Sequence, residues 1–159
     1  MGVRDHVRLA ASGKIATAFN IAQRMAMGAD WCNAARAFMF SVGCIQAERC
    51  HTNACPVGVA TQNPALFRGI DVPTKAQRVM HYHCNTLEAL AEVTAAAGLM
   101  HPREFSPVHI ARRISATDVR PYSEIYDFLE PGELLGDPLP EKWNKWLSSA
   151  SPDTFNRIC

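Results

Sequence analysis

Three cysteines fall within twelve residues of one another, and their spacing limits what this chain can fold into more than any other feature. They are separated by five and then four residues and are Cys44, Cys50 and Cys55. A thiolate is a strong ligand for iron, copper and zinc. Pro56 and Gly58 follow closely, and residues of these types end helices and permit tight turns. The segment 43–62 is therefore predicted to be a loop, and its residues suit a loop that wraps a metal ion or a cluster.

Three alternatives account for this loop. The first is an iron–sulfur cluster held by the three cysteines, and the second is a tetrahedral zinc site completed by His51. The third is a set of buried thiols or a disulfide. The spacing differs from the tight ligand pairs of zinc knuckles and from the run found in bacterial ferredoxins. The residues alone leave all three alternatives open.

Composition sets the class of protein in which the loop must lie. With 159 residues, 48% of them hydrophobic and 19% charged, the chain suits a globular domain with one core. Its net charge of +1 gives no reason to expect nucleic acid or an anionic membrane as a partner. The sequence shows no apolar run of about 20 residues and no signal-peptide pattern. Six cysteines in such a chain favour reduced thiols or metal ligands, and hence the cytoplasm.

The first part of the chain has the order of elements that is typical of a parallel βα unit. Apolar residues at 6–11 predict a buried strand, and those at 17–27 predict an amphipathic helix that ends at Gly28. A second strand is expected at 30–35 and a second helix at 38–46. Because the first strand begins almost at the first residue, we expect the chain to be the C-terminal piece of something larger.

Small and basic residues follow both predicted strands, at the position where parallel sheets bind their ligands. The two triplets are Ser12, Gly13 and Lys14, and Ala34, Ala35 and Arg36. Free N–H groups at a helix start attract anions, and an arginine can pair with phosphate. A plain turn and helix cap explains the first triplet on its own, whereas two such strand ends side by side favour a phosphate site.

The remaining sequence predicts helices and then a turn-rich tail. A loop is expected at 63–72, a long helix at 74–97 and a shorter helix at 101–114. Cys84, on the long helix, is expected to be a small core residue. The tail at 115–159 is rich in proline and glycine, and it carries an apolar stripe that must dock or mark an interface, formed by Trp143, Trp146 and Leu147.

Two stretches of the sequence resemble a known family. VRDHVRLAASGKIATAF at 3–19 and GADWCNAARAFMFSVGCIQAERCHTNACPVGVATQNP at 28–64 are similar to the C-terminal part of the FMN-binding domain of glutamate synthases. The likeness covers residues 3–113, and the cysteine segment is its most specific part. The shorter, single-domain members of the family are the most similar.

The resemblance implies a fold and two cofactors. In that family the domain is a TIM (β/α)8 barrel, with FMN at the C-terminal face of the strands and a 3Fe-4S cluster held by three cysteines at this spacing. It therefore assigns Cys44, Cys50 and Cys55 as the cluster ligands and Cys32 as a thiol of the barrel core. It also implies that the residues around the FMN phosphate are Ser12, Gly13, Lys14, Ala34, Ala35 and Arg36.

By the same resemblance, residues 1–114 are expected to be the last two βα units of such a barrel, with the iron–sulfur loop at 43–62 and the helices that follow it. Residues 115–159 are expected to be a tail rich in proline and glycine. In the family, the residues that hold the isoalloxazine ring and the substrate belong to earlier strands of the barrel. This sequence does not contain those strands. The implied partners are therefore a missing N-terminal half of the barrel or another subunit. We expect the chain to be inactive alone, and no catalytic residue is assigned.

The implied reaction is the reductive transfer of ammonia from glutamine onto 2-oxoglutarate, which gives glutamate. In the family, electrons reach FMN through the cluster, and the flavin delivers hydride to 2-iminoglutarate, while the protein positions the cofactors. The alternative is a non-catalytic module stabilised by metal, or a subunit that completes a barrel with another chain.

Overall fold

The computed structural model of the chain describes residues 4–136, 138–151 and 153–154, which divide into two units. Residues 9–122 form the larger unit, and residues 4–8 join the described residues after 122 in the smaller one. None of the helices in these ranges combines the length and the apolar character that crossing a membrane requires.

Two parallel strands begin the larger unit. Strand β1 (Ala10–Ser12) pairs in register with β2 (Trp31–Asn33), so that Ser12 lies opposite Asn33. The predicted parallel βα unit is thus confirmed. Both strands are shorter than expected, because only residues 10–12 and 31–33 are paired, although the Leu9 carbonyl still accepts the Asp30 N–H at 2.8 Å.

Helix α1 (Ala18–Ala26) connects the two strands and begins at a capping box. The Asn20 N–H donates to Thr17 Oγ1 at 3.2 Å, and the Thr17 N–H donates to Asn20 Oδ1 at 3.3 Å. Gly28, with φ +97°, follows the last turn, as predicted. Buried alanines recur at every fourth position along this helix, where they share one face, and are Ala18, Ala22 and Ala26.

Helix α2 (Ala35–Val42) begins three residues before the predicted start and ends before Gln46. Gly43 ends it, because this residue has φ +117° and carries no Cβ that would resist the left-handed conformation. The prediction of a helix at 38–46 was therefore right in kind and wrong at both ends.

A short helix and a long one follow the cysteine segment. Helix α3 (Pro64–Phe67) is a single turn inside the region predicted as a loop, and it starts at the Asn63 cap. Helix α4 (Val72–Ala96) confirms the predicted long helix and packs against α1 and α2. The Tyr82 hydroxyl donates to the Ala16 carbonyl at 2.9 Å. Cys84 is exposed, so its expected place in the core is wrong.

The prediction of a helix at 101–114 is wrong. This region holds two 3-10 turns, Pro102–Glu104 and Pro107–His109, and then strand β3 (Ala111–Arg113), which pairs antiparallel with β4 (Val119–Pro121). The two prolines explain the difference, since each is accepted in a first turn but interrupts a continuous helix. Phe105 and Ile110 are nonetheless buried.

The tail consists of short helical elements between turns, as its composition predicts, and strand β4 is the element that was not predicted. After β4 come α5 (Tyr122–Ile125), a 3-10 turn at Glu133–Leu135 and α6 (Glu141–Ser148). Within the smaller unit, Lys142 on α6 forms an ion pair with Asp127. Trp146, of the predicted apolar stripe, is 62% exposed. Cys159 lies outside the described residues.

Asp71 caps α4, and the stability that it contributes depends on pH. Its Oδ2 accepts the Thr74 N–H at 3.1 Å, and hydrogen bonds from the Thr74 side chain and backbone, with the positive charge of Lys75, lower the pKa of this carboxyl. A lowered folded-state pKa means that the contribution is present above about pH 4 and is lost as pH falls through that pKa. In urea unfolding between pH 6 and 2, we expect the midpoint to fall more steeply for the wild type than for Asp71→Asn.

The control for this comparison is Glu88→Gln, which removes a carboxylate from the middle of the same helix. It should follow the wild-type pH profile. Parallel profiles for the wild type and Asp71→Asn would contradict the assignment.

Candidate anion and thiol site

The ends of β1 and β2 open into one cavity at the same edge of the sheet. We call this hollow of about 500 Å³ the strand-end cavity, and its lining residues are Ser12, Gly13, Lys14, Ile15, Asn33, Ala35, Arg36 and Gln46. Of the six residues that the resemblance places around a phosphate, five line it, and the sixth, Ala34, directly precedes helix α2. The in-register pairing of Ser12 with Asn33 is what brings the two loops side by side.

The strand-end cavity has the chemistry of an anion site. Lys14 and Arg36 supply two positive charges, and both are exposed to an incoming ligand. Helix α2 starts at the wall of this cavity. The N-cap residue of the helix, Ala34, makes no side-chain capping bond, so the first N–H groups of the helix can donate to a ligand. Gly13, with φ +90°, would place a Cβ in open space, which leaves room beside the backbone.

The sequence predicted free N–H groups at the helix that follows Ser12, Gly13 and Lys14, but the structure differs. The helix after Lys14 is α1, and its first donors are already used, because Thr17 and Asn20 form the capping box. The Asn20 side chain also accepts the Ala16 N–H at 3.3 Å. The second helix, α2, is therefore the one whose N-terminus can receive an anion.

A second cavity of about 500 Å³ adjoins the first. We call it the thiol cavity, and its lining residues are Ala35, Arg36, Met39, Cys44, Gln46, Glu48 and Cys50. Ala35, Arg36 and Gln46 line both cavities and form a shared wall. Two of the three predicted metal ligands thus lie next to the predicted phosphate residues.

The end of α2 fixes the position of Cys44. The Cys44 N–H donates to the Met39 carbonyl at 2.9 Å, and the Gly43 N–H donates to the Phe40 carbonyl at 3.0 Å. These two bonds form a Schellman motif, which requires the left-handed Gly43. The Gln46 N–H then donates to the Cys44 sulfur at 3.5 Å. Cys44 is therefore held by backbone bonds on both sides.

Cys55 is held differently, within a closed turn. Its side chain is only 7% exposed. Hydrogen bonds from the backbone N–H of Ala60, and from those of residues 57–59, lower the pKa of the Cys55 thiol against the opposing effect of burial. Backbone donors aimed at sulfur favour the thiolate, which is the form that binds metal.

Asn53 closes the turn that holds Cys55. Its Oδ1 accepts the Gln62 N–H at 2.6 Å and the Thr61 hydroxyl at 3.0 Å, and the same hydroxyl lies 2.6 Å from the Asn53 carbonyl oxygen. The loop from 53 to 62 is thereby joined at its two ends. Asparagine suits this position because it tolerates the left-handed φ of +58°.

The structure brings the three cysteines only partly together. Cys44 and Cys50 line the thiol cavity, whereas Cys55 does not. Among the described residues, no three His, Cys, Asp or Glu side chains are grouped so as to hold one metal ion. A zinc site needs four donors within about 2.3 Å of a single ion, and the three cysteines with His51 do not form one. All cysteines in the described ranges are free thiols.

A cluster makes a different demand on the loop, because each thiolate binds a separate iron atom. The three cysteines are chemically suited to hold a cluster. Two of their thiols line one cavity, and backbone N–H groups lower the pKa of the third. Cys32 lies apart on β2, half-buried, with its sulfur 4.0 Å from the Ile21 carbonyl oxygen. Burial raises the pKa of the Cys32 thiol, while the charge of Arg24 acts in the opposite direction.

Strained backbone is concentrated at these features. Among the described residues, the non-glycine residues with positive φ are Lys14, Gln46, Glu48 and Asn53. The first three line the cavities and the fourth closes the Cys55 turn. Left-handed non-glycine residues cost energy and persist where the surrounding structure holds them, often at functional sites.

Four residues of the two cavities and of the Cys55 turn were not predicted as site residues from the sequence. Asn33 had a usable signal, since it is a polar residue at the carboxyl end of a strand. Asn53 also had one, because asparagine often closes turns through its side chain. Gln46 and Glu48 had none, since neither residue type predicts a left-handed backbone.

Gly58 allows the Cys55 turn to lie against α3. A Cβ at this position would come within 2.6 Å of the Leu66 carbonyl oxygen and 2.9 Å of the Phe67 Cα, and the backbone has φ +78°. We expect Gly58→Ala to lower the free energy of unfolding by about 2 kcal/mol or more, through strain and displaced backbone. Urea unfolding measures the effect.

Gly69→Ala is the matched control. A Cβ at Gly69 would make ordinary contact with the same Leu66 carbonyl oxygen, at 3.5 Å, and the backbone there is not left-handed. Equal losses of stability for the two variants would show that the close approach at Gly58 is not what matters.

Comparison of the sequence with known proteins identifies a family. Residues 1–100 match the family described as the conserved region in glutamate synthase. The chain is 46% identical over 112 residues to the glutamate synthase large subunit-like protein YerD of Bacillus subtilis (strain 168), a match that covers 70% of this chain and 21% of that protein. It is 33% identical over 98 residues to the archaeal glutamate synthase (NADPH) of Methanocaldococcus jannaschii, covering 62% and 19%.

A third relative, the glutamate synthase (NADH) of Saccharomyces cerevisiae, is 26% identical over 149 residues, which cover 90% of this chain and 7% of that protein. The chain thus spans about a fifth, or less, of the length of these curated relatives. The family match covers well over half of the 159 residues, and this chain therefore belongs to the glutamate synthase family.

Proposed function

We propose that this chain contributes the phosphate end of an FMN site and an iron–sulfur loop to a glutamate synthase-type oxidoreductase. The reaction would transfer ammonia from glutamine onto 2-oxoglutarate and reduce the product to glutamate. The observation that carries the proposal is the wall shared by the strand-end cavity and the thiol cavity. A cation-lined anion site and a pair of metal-binding thiols side by side suit a flavin next to a cluster.

The FMN phosphate would occupy the strand-end cavity. The proposed binding residues are Ser12, Gly13, Lys14, Ala34, Ala35 and Arg36. Lys14 and Arg36 would balance the phosphate charge, and the uncapped start of α2 would donate N–H groups to its oxygens. Gly13 leaves the space that a close approach of the phosphate needs.

The cysteine loop would hold a 3Fe-4S cluster through Cys44, Cys50 and Cys55. When bound, the flavin and the cluster would supply hydride and single-electron transfer. The chain's own contribution would be to hold the thiolates, to donate backbone N–H groups to sulfur at Cys44 and Cys55, and to bury Cys55 away from water.

We further propose that β1 and β2 are the last two strands of a TIM barrel, which upstream strands or another chain complete. The sheet supports this proposal, because large apolar side chains on its strands and directly before them are in contact with water. Leu9 is 49% exposed and Trp31 is 48% exposed. Such side chains at a sheet edge need a partner, and the flavin ring and the substrate would be bound by that partner. By itself the chain would not be active.

Iron binding tests the cluster directly. After anaerobic reconstitution with iron and sulfide, we expect an EPR signal from an oxidised three-iron cluster, and we expect Cys44→Ser, Cys50→Ser and Cys55→Ser each to lose it. Cys84→Ser is the control, since this exposed thiol lies on α4 outside the loop. Retained zinc without an iron signal would reject the cluster.

Self-association tests the exposed sheet. We expect the chain alone to form oligomers in sedimentation velocity, because an exposed apolar edge seeks a partner, and we expect Trp31→Lys to shift it toward monomer. Met100→Lys, at a side chain that is 92% exposed elsewhere, should change nothing. A sharp wild-type monomer peak without flavin binding would favour the alternative, a non-catalytic module stabilised by metal.

A further inference from the structure

Gln46 lies at the junction of the two cavities. Three residues form the shared wall, but Ala35 has no polar side chain, and Arg36 is fixed in the first turn of α2. Gln46 alone of these three belongs to the loop that carries the thiols. Its carboxamide carries two donors and one acceptor, and the residue lines the strand-end cavity in which an anion would bind.

The backbone of the same residue holds the Cys44 sulfur. The Gln46 N–H donates to Cys44 Sγ at 3.5 Å, a distance suited to a sulfur acceptor. The φ of Gln46, which is +56°, fixes the direction in which its side chain leaves the backbone relative to this N–H. A glutamine rarely adopts this conformation unless its surroundings hold it there, so a contact made by the side chain bears directly on the bond to sulfur.

We propose that Gln46 is a positioning residue that couples the two cavities: an anion bound at the strand ends engages its side chain and thereby fixes its N–H on Cys44. This inference rests on the proposed function, because the anion is taken to be the FMN phosphate. Coupling of this kind is reciprocal, so a ligand on Cys44 also favours the anion.

The test follows the reactivity of Cys44 in the full chain. FMN is the probe, its binding is followed by flavin fluorescence, and alkylation of Cys44 by N-ethylmaleimide is followed by peptide mass spectrometry. In the wild type, saturating FMN should slow Cys44 alkylation about fivefold or more. Gln46→Ala keeps the backbone N–H but loses the carboxamide, and it should lose most of this protection. Cys84 is the internal reference for general thiol reactivity, because it is exposed on α4.

Glu48→Ala is the matched control. Glu48 belongs to the same loop and has nearly the same φ, +55°, but it lines only the thiol cavity. FMN should protect Cys44 in this variant as in the wild type. If Gln46→Ala does not fold, Gln46→Asn, which keeps a carboxamide, and Gln46→Gly, which removes it and relaxes the backbone, provide the same comparison.

The outcomes separate the two proposals. If the wild type binds neither FMN nor inorganic phosphate, the proposed phosphate site fails, and the coupling fails with it. If it binds phosphate alone, phosphate replaces FMN in the alkylation test. If FMN binds and protects Cys44 equally in the wild type and in Gln46→Ala, the proposed function stands and the coupling is overturned, because the flavin then only shields the thiol.

Discussion

The in-register parallel pairing of β1 with β2 is the constraint on which the candidate site depends. Because Ser12 lies opposite Asn33, the chain leaves both strands at one edge of the sheet. The second exit leads directly into α2, whose eight residues span about 12 Å. The helix begins at the strand-end cavity and ends at Gly43, and the loop that follows brings Cys44 and Gln46 back to the wall that both cavities share.

Elements with a strong local signal were predictable from the sequence. The apolar period of α4 and the glycine after its end predicted nearly the observed helix, although its start was placed two residues late, after Pro73. The pairing of β1 with β2 followed from the order of apolar segments. Residues 101–114 were wrongly predicted as a helix because their apolar spacing is that of a helix. Pro102 and Pro107 instead divide the region into two turns, and β4, the partner of strand β3, lies in the tail.

For the candidate site, the sequence indicated which residue types take part, but it did not indicate how they are arranged in space. Cysteine spacing indicated metal ligands as one alternative and basic residues after the strands indicated an anion site, because thiolates bind metals and cations bind phosphate. That the cavities adjoin was not predictable, since it depends on a loop that turns back through left-handed residues such as Gln46 and Glu48. Nor did the spacing indicate that Cys55 would be enclosed by its own turn while Cys50 stays exposed.

The contact between Gly58 and α3 is made by main-chain atoms, those of Leu66 and Phe67. Main-chain atoms are the same for every residue type, so the surface that supports the turn does not depend on which side chains α3 carries. The exposed positions of this helix, such as Ala65, are consequently free to acquire new charges or contacts to a neighbouring domain. Adaptation to a new partner protein could proceed there while the sulfur-bearing turn keeps its shape.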